Sequence, residues 1–309
     1  MPERKVNRAF IHVGMPKTGT SAIQSALVEH RDILASHGLH HPDTPQFNHP
    51  AIIARFHPAG TNHWYLESSG ISRADALALS EEMWRQIMTA KTDVILSCEY
   101  LYDLGSATAA MARAFEEAGF VPIFICFVRH PVDAATSASQ QQVKMGAMTL
   151  EQALYKPDWH NAKTALSPFV DAGAKVIVRD FGEAGERGVT HDLFLALGYE
   201  SLAEAIPRQD VNVSLTMEGA ILADLHTAYS KEYGNEPFPR DLIFKVGRSK
   251  FSLPEIAKAS VREACRDEVR WLSETFRVEL REAPWRTMAH TRLSSATVME
   301  LLRVMSAKR

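Results

Sequence analysis

The 309-residue chain has few cysteines, almost no net charge and no long apolar run, and each shortage excludes a class of protein. Cys98, Cys126 and Cys265 stand far apart. They make neither a disulfide framework nor a CxxC metal pair, which fits a reducing compartment. Lys and Arg number 34 against 37 Asp and Glu, a formal net charge of −3, so bulk charge gives no hold on nucleic acid. The longest apolar run, Val121–Val128, falls far short of the roughly 20 residues of a membrane helix. The charged start Met1–Arg8 leads into a short apolar stretch that breaks at Gly14, where no secretory h-region of about 7–15 apolar residues fits. At 46% hydrophobic residues the chain is too apolar to stay disordered. The expectation is a soluble cytoplasmic α/β protein without a nucleic-acid or membrane partner.

Four β-rich runs are present: Ala9–Val13, Asp93–Ser97, Val121–Val128 and Lys175–Arg179. They are apolar almost throughout, the pattern of strands covered on both faces in a parallel sheet. Between them lie helical patterns at Ser21–Ser36, Arg73–Thr89, Ser106–Ala118, Val132–Lys144 and Val189–Leu197. Gly38 and Gly198 are placed to end the first and last of these. Alternating strand and helix predicts a three-layer, doubly wound α/β fold with a mostly parallel sheet of about five strands. After about residue 212 only helical patterns remain, at Leu215–Tyr233, Pro254–Phe276 and Ser294–Met305. We read one domain over 1–309, a core at 8–212 with a helical portion at 213–309 packed on it. The stretch His37–His63, rich in proline and histidine, reads as a long loop.

The segment Ile11-His12-Val13-Gly14-Met15-Pro16-Lys17-Thr18-Gly19-Thr20-Ser21 carries the most chemistry. It runs from a strand through a glycine-bearing turn into a helix. Two glycines let the backbone curl so that its N–H groups face an anion, and the helix adds its own free N–H groups and positive dipole end. Lys17 supplies a full charge, and Thr18, Thr20 and Ser21 supply hydroxyls. The order is not that of a Walker A loop, GxxxxGK[ST], because the lysine precedes the second glycine.

Gly14-Met15-Pro16-Lys17-Thr18-Gly19-Thr20-Ser21 resembles the 5′-phosphosulfate loop of the sulfotransferases that use 3′-phosphoadenosine 5′-phosphosulfate (PAPS). The resemblance implies a P-loop-like fold, PAPS as sulfuryl donor, 3′,5′-adenosine bisphosphate as product and no metal. It assigns Gly14, Pro16, Lys17, Thr18, Gly19, Thr20 and Ser21 to the donor, with Lys17 also on the leaving group. A 3′-phosphate site should then follow a later strand. Arg129 ends the run Val121–Val128, Pro131 suits a first helical turn, and Ser137 lies eight residues beyond Arg129, the spacing of the family's 3′-phosphate pair. The chain departs from many relatives at Ala134 and Ser139, where a second arginine and an aromatic are common. Asn212-Val213-Ser214 and His191–Gly198 are similar to later family elements. Val246-Gly247-Arg248-Ser249-Lys250-Phe251 is similar to the basic loop over the 3′-phosphate, which adds Arg248 and Lys250 to the donor site.

Sulfuryl transfer is an in-line displacement that needs a base for the acceptor hydroxyl proton. The family uses His or Glu. His49, in Phe47-Asn48-His49-Pro50, leads the candidates, His41 is second, and Glu99, just beyond Asp93–Ser97, is the third. A histidine serves near neutral pH without any shift. Glu99 sits at the carboxyl edge of the sheet, where ligands of open α/β folds bind. The adjacent pair His40-His41 followed by Pro42 lacks the spacing of a zinc site. The acceptor is expected to be a carbohydrate or another hydroxyl-bearing metabolite, with Trp64, Trp84, Tyr155 and Trp159 as possible lining, and oligomeric state is open. In Golgi relatives a membrane anchor and stem precede the loop, and the start of this loop at Gly14 suggests a cytoplasmic enzyme. Two other readings stay open: a P-loop nucleotide kinase or NTPase, which would need a Walker order and an acidic strand end, and a non-catalytic nucleotide-binding relative.

Overall fold

The computed structural model describes residues 6–44, 49–57, 63–105, 107–184, 187–208, 214–233, 243–284, 290–294 and 297–298, with only the backbone at 49 and 233. Five parallel strands form one sheet: β1 (Arg8–Val13), β2 (Leu39–His40), β3 (Asp93–Cys98), β4 (Val121–Val128) and β5 (Lys175–Asp180), in the order β2-β3-β1-β4-β5. β1 is central. From it the chain goes to the edge strand β2 and returns to β3 between them, then crosses to β4 and β5 on the other side. In such sheets the ends of the first strand and of the strand after the crossover face a common crevice. The expected doubly wound fold is therefore present.

Side chains alternate across this sheet with the period of two that a strand imposes. Ala9, Ile11 and Val13 face one core with Leu96, Phe124, Phe115 and Phe169. Phe10 faces the other with Ile23, Leu27, Ile125, Phe127 and Phe194. Both faces are covered, which is why β1, β3 and β4 lack the polar alternation of a half-exposed sheet.

The chain folds as two compact units. The first comprises Met1–Arg129, His160–Val211 and Glu268–Leu280 and contains the sheet. The second comprises His130–Trp159, Asn212–Asp267 and Arg281–Arg309. Its own apolar core joins Val132, Val143 and Leu154 to Leu215, Ile221, Phe251 and Val261. Each unit is thus discontinuous in sequence. Among the described residues, no helix is long and apolar enough to cross a membrane.

Several local expectations change. The pattern Ser21–Ser36 is two helices, Thr20–Glu29 and Arg31–Ser36, because His30 leaves helical geometry at φ −115° and ψ 28°. The second ends on Gly38, which takes φ 75°, as a C′ glycine does. Pro254–Phe276 likewise divides at Cys265 into Glu255–Ala264 and Arg266–Phe276. The stretch His37–His63 is not all loop. It holds β2 and the helix His49–Phe56, whose Ala51, Ile52 and Ile53 are buried in the first core. Those apolar residues outweigh the local proline and histidine. Most of the pattern Ser294–Met305, and Asn212-Val213 of the later turn, lie outside the described residues.

His41 follows edge strand β2 and is 4% exposed, with Nδ1 donating to the Ile95 carbonyl at 3.0 Å when the proton is placed there. Burial lowers its pKa from 6.5 to about 4. A histidine held neutral in the fold but protonated when unfolded contributes stability above the unfolded value. That contribution is lost as pH falls through the folded one. We predict that unfolding free energy drops by on the order of 3 kcal/mol from this group between pH 6.5 and 4. His41→Gln, which keeps a donor and does not titrate, should flatten that limb in denaturant titrations. Superimposable pH curves for the two proteins would refute the assignment.

Candidate functional site

The turn between β1 and the helix Thr20–Glu29 is built by backbone constraints. The Gly14 N–H donates to the Cys98 carbonyl at 3.1 Å, tying the turn to the end of β3. A Cβ on Gly14 would lie 2.5 Å from Thr20 Cγ2 and 2.9 Å from Glu99 Cα, so only glycine fits. Gly19 takes φ 78° and packs so closely on Val189 and Phe181 that a side chain there would collide as well. It caps the helix with no side-chain hydrogen bond. The helix N-terminus therefore keeps an opening where an anion can meet N–H groups.

Lys17 is a non-glycine residue in left-handed backbone, at φ 67°. That conformation costs about 1–2 kcal/mol for an L-residue and persists only where the surroundings impose it. Two hydroxyls help to impose it. Thr18 Oγ1 donates to the Met15 carbonyl at 2.7 Å and Thr20 Oγ1 donates to the same atom at 3.1 Å. Both threonines are buried, at 2% and 4% exposure, and act here as internal ties of the turn. Ser21 is exposed at its rim, and Pro16 and Lys17 are partly exposed.

Arg129 arrives from the end of β4. Its Nη1 donates to the Lys17 carbonyl at 3.4 Å, and its guanidinium lies 5.4 Å from the centre of the Phe181 ring, a cation–π contact. The Arg129 side chain thus reaches the backbone of Lys17 across 112 positions of sequence. An arrangement of that kind is suited to an anionic ligand. Phe181, the residue after β5, is a part of this site that sequence reading passed over. It supports both Gly19 and Arg129.

Glu99 opens a 3-10 turn, Glu99–Asp103, directly after β3. Burial pushes its carboxyl above the usual 4.5, while the nearby charge of Lys17 pulls it down. Beyond it the aromatic rings cluster. Tyr100 lies 4.4 Å from Tyr65, 5.1 Å from Trp64 and 5.6 Å from His63, and Trp64 is 52% exposed. The thiols beneath the turn take no part in acid–base work, since burial raises Cys98 to about 12 and raises Cys126 as well.

The structure therefore brings Gly14–Ser21, Glu99 and Arg129 together within the first unit. His41 is elsewhere. It lies beside Ile95, four residues or roughly 13 Å down β3 from Glu99. His49 begins the helix His49–Phe56, and its side chain is outside the described residues. Ser137, half-buried on the helix Pro131–Lys144, and the exposed Arg248 and Lys250 belong to the second unit. Of the four aromatic candidates, Trp64 and Tyr155 are exposed, Trp84 packs on the first core and Trp159 on the core of the second unit. Among the described residues no group of three or more His, Cys, Asp or Glu side chains could hold a metal ion.

With this geometry in view, the fold is similar to that of a sulfotransferase from Alicyclobacillus acidocaldarius, with a TM-score of 0.51 and 14% identity over 91% of this chain and 99% of that one. Looser overlays occur with a sulfotransferase domain from the curacin biosynthetic pathway, at a TM-score of 0.32 and 11% identity over 98% and 99% of the two chains. Another is with a structure from the PezAT chromosomal toxin–antitoxin system of Streptococcus pneumoniae, at a TM-score of 0.33 and 10% identity over 64% and 85%. Only the first is close enough to bear on this chain, and it bears on the fold. No protein-family model and no curated protein matches the sequence.

The strain at Lys17 gives a direct test. Ordinarily alanine is as stable as glycine or more so, but at φ 67° the order reverses. Lys17→Gly should be more stable than Lys17→Ala by about 1 kcal/mol in chemical denaturation. Equal stability, or a more stable alanine variant, would mean that the left-handed turn is absent in solution.

Proposed function

We propose that this protein transfers a sulfuryl group from PAPS to a hydroxyl acceptor. The observation that carries the reading is the contact of Arg129, at the neighbouring strand end, with the backbone of Lys17 on its strained turn. The residues fit the donor. Gly14 and Gly19 have no room for a side chain against Thr20, Glu99, Val189 and Phe181, so the turn is held tightly at the helix N-terminus, where Lys17 adds a cation. PAPS supplies the sulfuryl group, and the chain supplies position and charge. Lys17 neutralises charge that accumulates on the 5′-phosphate oxygen as its bond to sulfur breaks. The family resemblance assigns Arg129, Ser137, Arg248 and Lys250 to the 3′-phosphate.

Of the three candidate bases we choose Glu99. It neighbours Lys17 electrostatically, its carboxyl is raised toward the range useful for proton transfer, and it follows the strand whose end the phosphate turn touches. Glu99 takes the proton of the acceptor hydroxyl as the new sulfur–oxygen bond forms. His41 is enclosed beside the middle of β3, and its lowered pKa makes it a weak base. The exposed face of Trp64, beside Tyr100, is a platform on which a ring-bearing alcohol such as a sugar can rest. A cytoplasmic setting accompanies this proposal. A kinase reading is less favoured, because the turn lacks the Gly-Lys-Ser/Thr order of a Walker loop, Lys17 standing before Gly19.

The reading is checked by sulfuryl exchange between p-nitrophenyl sulfate and 3′,5′-adenosine bisphosphate, which should proceed with the wild type and fail with Lys17→Ala. Thermal stabilisation by Mg·ATP together with indifference to the bisphosphate would instead indicate a kinase. Glu99→Gln should lower kcat by roughly 10²–10⁴-fold and remove the acid limb of the pH–rate profile. Because Glu99 is raised in the fold, its ionisation costs stability as pH rises through the folded value. The same variant should therefore be more stable than wild type at pH 7. An unchanged rate for Glu99→Gln would remove Glu99 from the base role.

A further inference from the structure

The second unit contains a carboxylate with no role in the chemistry so far. Glu218, on the first turn of the helix Met217–Tyr233, is 7% exposed. Both its oxygens are engaged by one residue of the basic loop: Ser249 Oγ donates to Oε1 at 2.7 Å and the Ser249 N–H donates to Oε2 at 3.2 Å. The helix start and this loop are joined at further points. The Met217 N–H donates to the Ser249 carbonyl at 2.8 Å, Thr216 Oγ1 donates to the Val246 carbonyl at 2.5 Å, and Thr216 pairs with Lys250 as an antiparallel bridge. Gly247 passes so close that a Cβ would collide with the Glu218 carboxyl, and it takes φ 73°.

The consequence follows from extended-chain geometry, in which neighbouring side chains face opposite ways. Ser249 is turned inward onto Glu218. Arg248 and Lys250, on either side of it, are exposed. Two cations at positions i and i+2 of an extended segment stand about 6.6 Å apart, a separation from which two long side chains can straddle one phosphate. The hydrogen bonds to this acid come from Ser249, with His290 Nε2 3.8 Å from Oε1, so a buried carboxylate organises a basic loop through hydroxyl and amide contacts.

We infer that Glu218 is the positioning residue of the Val246–Lys250 loop, clamping Ser249 so that Arg248 and Lys250 present a preformed site for the 3′-phosphate of the donor nucleotide. This rests on the donor reading proposed above. Glu218 touches no reacting atom, and its effect is confined to the 3′-phosphate.

The test is calorimetric affinity for 3′,5′-adenosine bisphosphate and for adenosine 5′-monophosphate, taken as a ratio. The wild type should favour the bisphosphate by on the order of 100-fold or more. Glu218→Gln places an amide N–H₂ against a Ser249 donor, and the ratio should fall about tenfold while affinity for the monophosphate holds. Ser249→Ala, which deletes one bond of the clamp and leaves the fold otherwise intact, should shift the ratio the same way by a smaller factor. A merely structural role would weaken both nucleotides alike. That result, or a wild-type ratio in both variants, would overturn the inference and leave the donor reading standing. A wild type that does not distinguish the two nucleotides would overturn the donor reading and this inference with it.

Discussion

The approach of the Gly14 backbone to the end of β3 is the constraint on which the rest of the site depends. There is no room for a side chain between Gly14, Thr20 and Glu99, and the Gly14 N–H is bonded to the carbonyl before Glu99. This contact couples two elements 85 residues apart that the sheet already places side by side, since Val13 pairs with Cys98 in the β1–β3 register. The turn is left-handed at Lys17 and Gly19 because Met15 offers its carbonyl to Thr18 and Thr20 and because Phe181 and Val189 close against Gly19. One close backbone contact therefore sets where the lysine, the carboxylate and the helix N-terminus stand.

The cost of this arrangement is visible in its electrostatics. Lys17 is held in left-handed backbone, and Glu99 is desolvated in its neighbourhood. Each of these is unfavourable in isolation. They are tolerable because the sheet beneath is covered on both faces by continuous apolar cores, which supply the stabilisation that local strain consumes.

Much of this was legible in the residue order, for physical reasons that differ from element to element. The strands showed because a parallel sheet buried on both faces demands unbroken apolar runs, as in Val121–Val128. The sharp turn at Gly14–Gly19 showed because two glycines between a strand and a helix mark a tight backbone approach. Arg129 was legible from its position after β4, but its hydrogen bond to Lys17 was not, since nothing local encodes an approach across 112 positions. The helix His49–Phe56 was hidden by flanking prolines and histidines, its stability coming from the burial of Ala51, Ile52 and Ile53. Thr18 and Thr20 read as ligand hydroxyls, whereas their protons point to Met15. Phe181 follows a strand similar to a late family strand, but neither its role nor that of Glu218 had a local signal. Both act through packing or hydrogen bonds to partners distant in sequence.

The central claim is that the Gly14–Thr20 turn and Arg129 grip one doubly phosphorylated adenosine. A crystal structure grown with 3′,5′-adenosine bisphosphate tests it most directly. The account predicts the 5′-phosphate seated on the turn against Lys17, with Arg129 at the same nucleotide. Electron density for the nucleotide away from both cations, or its absence at saturating concentration, would contradict the account.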